Sequence, residues 1–427
     1  MYARSILMGV AASTLFSSVL FAQPGDPSAE LQRSAKQISE AGLRAHIRFL
    51  ADDLLEGRGP GTRGDRLAQK YIASRLESLG FEPAAPGGGF FQPVPLVGVK
   101  TNAPPTLIIR GGDKKLQLDR LEDFVVTNGA PTEESRIEDA ELVFVGYGMV
   151  APEYQWNDFK TDVKGKVLLI MNNDPSDDPE LFAGKRRLYY GRWDYKYEVA
   201  AKRGAVGAII IHTTPSAGYP YSVVRTSWSG VQFELADSAG PRTKMNGWVT
   251  EAAARRLTAL TGHDLDALRA KAERRDFEPV PLGSTLSLAL DCEVRRNETA
   301  NVLARLPGSD PELSKEAVVF MAHHDHIGIA ESRDESGDNI YNGAVDNASG
   351  VASLLCVAEA CAALPRRPKR SILIAAVGAE EQGLLGSEFF AAHPSPAAGY
   401  LAAVVNIDGV GILGPTHDIN VIGLGKS

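Results

Sequence analysis

Four short segments late in the chain each end an apolar run in a side chain that binds metal ions. They are His323 in AVVFMAHHDH, Asp346 in NGAVDNASG, the adjacent Glu380 and Glu381 in ILIAAVGAEEQGLLGS, and Asp408 in AAVVNIDGVG. Taken singly, each has an ordinary reading. An HxD at a strand end is usually a capping feature, a Glu pair is a solvated helix start, Asp346 before a helix is an N-cap, and Asp408 is a turn residue. Four such segments in order within one region point instead to a shared hydrolytic metal centre, because ligands gather at the carboxyl ends of strands in open α/β sheets.

Carboxylate and imidazole donors suit Zn²⁺. None of the segments offers a Cys ligand, which argues against a structural zinc knuckle. A hydrolytic centre needs ligands for one or two cations, a carboxylate left free to take a proton from water, and an open coordination position. Glu380 and Glu381 fit that division of labour, since neighbours on a strand end or turn point in different directions. Alternation past a strand sends His323 and Asp325 to one side and His324 to the other. Asp325 can then orient a ligand imidazole from behind.

The elements that must position these groups follow from periodicity. From Ala300 onward, expected strands at Asn301–Leu306, Ala317–Met321, Ser371–Val377 and Leu401–Ile407 alternate with helices at Asn347–Leu364 and Leu384–Ala392. That alternation predicts a three-layer αβα domain on a mainly parallel, mixed sheet. Residues 23–120 carry a helix over Gln32–Leu50, a Gly/Pro turn region LADDLLEGRGPGTRGD, and a helix over Asp65–Leu79 stopped by Gly80. They read as the N-terminal part of the same domain. Residues 121–290 lack any acid/His cluster and show strand-like runs at Leu142–Val145, Val167–Met171 and Ala208–Ile211. They read as a non-catalytic insertion, and residues 291–427 as the part that carries the metal site.

With 44% hydrophobic and 23% charged residues the chain has the composition of a soluble globular protein, and 427 residues predict two to three domains or one large domain with an insertion. A net charge of −8 argues against a nucleic-acid binder. Residues 1–22 predict a signal peptide: Arg4 in the n-region, an apolar Ile6–Phe21, and Ala22 at the cleavage position. The expected location is periplasmic or secreted, with no stable membrane insertion after cleavage, since no later segment reads as long and apolar enough to span. Three cysteines, Cys292, Cys356 and Cys361, are too few for a disulfide scaffold.

The segments resemble the zinc-dependent aminopeptidase family that includes bacterial leucyl aminopeptidases, aminopeptidase Y and the glutamate carboxypeptidases. AHHDHIG, NGAVDNASGVA, AAVGAEEQGLLGS and VVNIDGVG carry the resemblance, and LADDLLEGRGPGTRGDRLAQKYIASRLESLGFEP and ANVLARLPGSD extend it over nearly all of the mature chain. The middle region, through DFKTDVKGKVLLI and AAKRGAVGAIII, looks like a β-rich protease-associated domain. The resemblance implies two zinc ions: His323 and Asp408 on one, Glu381 on the other, Asp346 bridging, Asp325 behind His323 and Glu380 as general base. It implies a peptide substrate held by its α-amino group. The family's second zinc takes a further His well downstream of Asp408, and here only His417 follows, too soon to match. The expectation is a C-terminally truncated reading frame with an incomplete second site. Alternatives are a carboxypeptidase of the same family, with Arg225 toward a terminal carboxylate, or a non-catalytic binding protein on the peptidase fold. The aminoacylase-like family uses similar ligands but inserts its extra domain after the Glu pair, whereas here the insertion precedes HHDH.

Overall fold

Between Val280 and Leu306 apolar side chains fall on alternate positions, and the chain forms one strand of 27 residues. Leu282, Ser284, Leu286, Leu288 and Leu290 are buried on one side, while Gly283, Ser287 and Ala289 between them are exposed. The computed structural model describes residues 27–409 except 177, 179–180, 183, 185–186, 331–336, 396 and 398. The expected signal peptide and His417 lie outside the described residues.

This strand organises the molecule. Its first half pairs antiparallel with Glu134–Phe144 and its end with Ser371–Val377, while Phe91–Asn102 runs antiparallel beside its middle. Glu316–His323 then lies parallel to both Ser371–Val377 and Tyr400–Asn406. The main path across the sheet is Tyr400–Asn406, Glu316–His323, Ser371–Val377, Val280–Leu306, Glu134–Phe144, Val167–Met171, Gly207–His212, Met245–Thr250 and Phe124–Thr127.

At the C-terminal end the sheet separates two apolar layers. Val302, Ala304, Ile372 and Ile374 pack with Leu50, Ile72, Leu76, Val351 and Leu355 of the helices Glu40–Leu50, Arg63–Ser78 and Ser349–Ala362. The alternate residues Leu303, Leu373, Ala375 and Val377 face Phe390 of the helix Leu385–Ala392. The result is the three-layer αβα arrangement on a mixed sheet. The middle region has its own large core, from Leu107 to Leu290, around the parallel strands Val167–Met171 and Gly207–His212. Parallel pairs flanked by helices make this region less purely β-rich than its sequence suggests.

Three local expectations change. The helix over Gln32–Leu50 is two helices, Pro27–Ala35 and Glu40–Leu50; the second starts where Ser39 Oγ accepts from Gly42 N. The strand-forming stretch 280–300 was not anticipated, although its alternation is clear once the pairing is seen. The run Ala344–Ala362 is apolar and long enough by composition to cross a membrane, contrary to expectation, but Val351, Leu354 and Leu355 sit wholly inside the core.

In the middle region Lys196 is fully buried, and its ammonium donates to the carbonyls of Tyr147, Asn173 and Tyr190 at 2.6, 2.8 and 2.7 Å. Burial pushes its pKa down to about 7, opposed by Asp158 and Asp174. Lys196→Met should destabilise the protein by ~3 kcal/mol, because the three carbonyls lose a shared donor. A urea midpoint matching the wild type would refute this role.

Candidate metal centre

The parallel register decides where the chemistry falls. His323 pairs with Val377 and Met321 with Asn406. The three strands therefore end level, and the turns beyond them deliver His323, Glu380–Glu381 and Asp408 to one edge. Asp346 arrives from the other side, in a tight turn between Gly343 (φ 57) and the helix Ser349–Ala362.

All five expected side chains converge. His323 Nε2 lies 3.1 Å from Asp346 Oδ1, 3.3 Å from Asp408 Oδ1 and 3.9 Å from Glu380 Oε2. The donor atoms of His323, Asp346 and Asp408 all lie within 4.8 Å of one another, and so do those of His326, Asp346 and Glu381. These two triads share Asp346. A third such group joins His323, Glu380 and Glu381.

His326, to which the sequence assigns no role, joins the site. Its Nδ1 is 2.5 Å from Glu381 Oε1. It stands where only Asp346 and Glu381 were expected, so the second triad has an imidazole of its own. The HHDH string contained the signal, but strand alternation stops at His323 and says nothing about a residue three positions later.

Asp325 departs from its expected contact. Its carboxylate is 3.8 Å from His323 Nδ1, and that nitrogen faces the Asp325 carbonyl at 3.3 Å. The Asp325 carboxylate instead accepts from the backbone N–H groups of Glu380, at 3.0 Å, and Glu381, at 3.4 Å. It therefore tethers the Glu turn to the HHDH loop. Ala379 holds a positive φ of 54 at that turn. His324 turns away, as alternation requires, and meets the buried Asp65 at 3.0 Å. Asp65 also accepts from Gly61 N and Thr299 Oγ1.

The electrostatics are those of an acid-rich pocket. Burial pulls the His323 imidazole down, but Asp346 and Asp408, with Asp325 and Glu380 behind them, outweigh it and raise its pKa to about 11. Burial, reinforced by Asp325, Glu381 and Asp408, pushes Glu380 up to about 8 despite the opposing pull of His323. Asp346 is held low, chiefly by its hydrogen bond to His323. So many acids around two imidazoles, with all donors N or O, form a set that matches Zn²⁺.

The site thus forms a candidate metal centre at the edge of an α/β sheet. Residues 301–427 match the profile described as Peptidase family M28. That match takes in His323, His326, Asp346, Glu380, Glu381 and Asp408. Over 114 residues it is 32% identical to the "Vacuolar membrane protease" of Yarrowia lipolytica, a match covering 27% of this chain and 10% of the relative. Over 69 residues it is 46% identical to a "Probable zinc metalloprotease" of Pyrenophora tritici-repentis, covering 16% of this chain and 15% of the relative. The matched region thus spans a small part of these relatives' lengths. The solved aminopeptidase from Aneurinibacillus sp. strain AM-1 aligns with 89% of this chain and 73% of its own, at 22% identity and a TM-score of 0.48.

The shared position of Asp346 sets the test. Asp346→Ala should weaken zinc binding more than His326→Ala, because it removes a donor from both triads rather than one. Competition with a chromophoric chelator measures this. Equal losses for the two variants would show that Asp346 serves a single ion.

Proposed function

We propose that this chain is an exported zinc aminopeptidase that binds two ions and removes N-terminal residues from peptides. One observation carries the reading: two donor triads share Asp346, while Glu380, outside both, lies 3.9 Å from His323 Nε2. His323, Asp346 and Asp408 would hold one Zn²⁺, and His326, Asp346 and Glu381 the other. The ions would supply Lewis acidity, polarising the scissile carbonyl and making water more acidic. Glu380 takes the proton from the attacking water and passes it to the leaving amine. Asp325 keeps the Glu turn fixed while that proton moves.

A cleft of about 810 Å³ opens beside Glu381. Glu56 and Glu122 also line it, and this acidic wall suits a free α-amino group. The middle region supplies the opposite wall: Gln232–Leu235 pairs with Phe91–Asn102, and Phe233 N donates to Gln382 Oε1 beside the Glu pair. We read this region as a protease-associated domain that shapes the substrate cleft. Arg120 and Arg225 line the same cleft, which supports carboxypeptidase action as the second reading. Arg225 already stands 3.6 Å from Glu122, so its charge is partly answered.

A panel of aminoacyl-nitroanilides and N-blocked peptides separates the two activities. Cleavage of the former, abolished by chelator and restored by Zn²⁺, is expected; rates indifferent to chelator would remove the metal mechanism. Glu380→Gln should lower kcat by roughly 10²- to 10⁴-fold with zinc retained. Export follows from Arg4, Ile6–Phe21 and Ala22. N-terminal sequencing of the periplasmic or secreted protein should find Gln23 first, and a chain retaining Met1 would reject cleavage.

A further inference from the structure

Arg58 is wholly buried, yet its guanidinium forms no ion pair among the described residues; its hydrogen bonds go to main-chain carbonyls. Nε donates to His324 O at 2.8 Å, Nη1 to Asn342 O at 2.7 Å and to Leu50 O, and Nη2 to Gly343 O at 3.0 Å. The carbonyl of Arg58 itself accepts from His326 N at 3.3 Å. One residue thus touches both sides of the HHDH loop and the turn that leads to Asp346. His324 lies between His323 and His326, and Gly343 is just ahead of Asp346.

The surrounding backbone is shaped to admit it. Arg58 sits at φ 51 beside Gly57 at φ 64. A Cβ on Gly57 would come within 2.5 Å of the carbonyls of Gly328 and Tyr341, and one on Gly343 within 2.6 Å of Arg58 Nη2. These glycines let the Arg58 segment press against both ligand loops. The planar fork of a guanidinium can meet several carbonyls in fixed directions, which an ammonium cannot do. Its charge also acts on Asp325, Glu381, Asp346 and Asp65, which favour its protonated form.

We propose that Arg58 is a positioning residue of the metal centre: it clamps the HHDH loop to the Gly343–Asp346 turn and so fixes the spacing of the two donor triads. This rests on the reading of those triads as cation sites. Arg58→Gly is the natural probe, because glycine accepts the positive φ without strain. In the full-length protein, Arg58→Gly should weaken zinc binding by roughly 10- to 100-fold, the range seen when residues behind metal ligands are lost. The visible spectrum of the Co²⁺ form should change, and millimolar methylguanidinium should restore part of the affinity. Arg58→Lys, which keeps the charge but not the fork, should also bind zinc weakly. Circular dichroism of the zinc-free proteins checks folding; should Arg58→Gly fail to fold, Arg58→Lys carries the test.

Wild-type zinc affinity and an unchanged Co²⁺ spectrum in a folded variant would overturn the clamp while leaving the metal centre intact. A wild-type chain that binds no zinc would bring down the metal reading, and the clamp with it.

Discussion

Carboxylates crowded around a few imidazoles at the end of one sheet cannot all keep their ordinary charges. Asp346, Asp408, Glu380 and Asp325 drive His323 to hold its proton, and Glu380 itself is pushed toward neutrality. That charge imbalance is the constraint on which the rest of the site depends. Divalent cations resolve it by replacing protons as the counter-charge. The fold around the site keeps the acids close despite their repulsion. Asp325 ties down the Glu turn, Asp65 holds the His324 ring, and the level ends of three parallel strands leave the ligands no room to spread.

What was legible in the sequence is what local periodicity controls. Apolar runs ending in His323, Glu380 and Asp408 are strands with polar ends, and their convergence follows once the sheet is parallel. The αβα layering was legible for the same reason: alternate residues such as Ile372 and Leu373 belong to different cores. What was not legible depends on turns. His326 reaches Glu381 because the chain bends after Asp325, a bend to which Arg58 contributes through its carbonyl. Asp325 hydrogen-bonds the Glu turn and acts on His323 through its charge, because backbone N–H groups in that turn lie closer to its carboxylate than the imidazole does. The GRGPGTRGD stretch reads as punctuation, and its glycines conceal how closely it approaches two distant loops.

The middle region raises a different difficulty. Within residues 121–290 the strings DFKTDVKGKVLLI and AAKRGAVGAIII carry a resemblance, but no acid/His cluster marks a site. The region's position beside the cleft comes from one short strand, Gln232–Leu235, laid against Phe91–Asn102, and from a contact to Gln382. Neither pairing has a sequence signature strong enough to name its partner, because a four-residue strand is compatible with many edges.

The strand Val280–Leu306 runs from the middle core into both layers of the C-terminal part: Leu282, Leu286, Leu288 and Leu290 lie in the first, Val302, Ala304 and Leu306 in one layer and Leu303 in the other. Two bodies joined by a slack tether can swing apart freely, but two bodies spliced into one hydrogen-bonded ribbon cannot. Any widening of the groove between them must appear as torsion spread along that ribbon. Any such torsion falls on the strand directly alongside Ser371–Val377, whose end leads into Glu380.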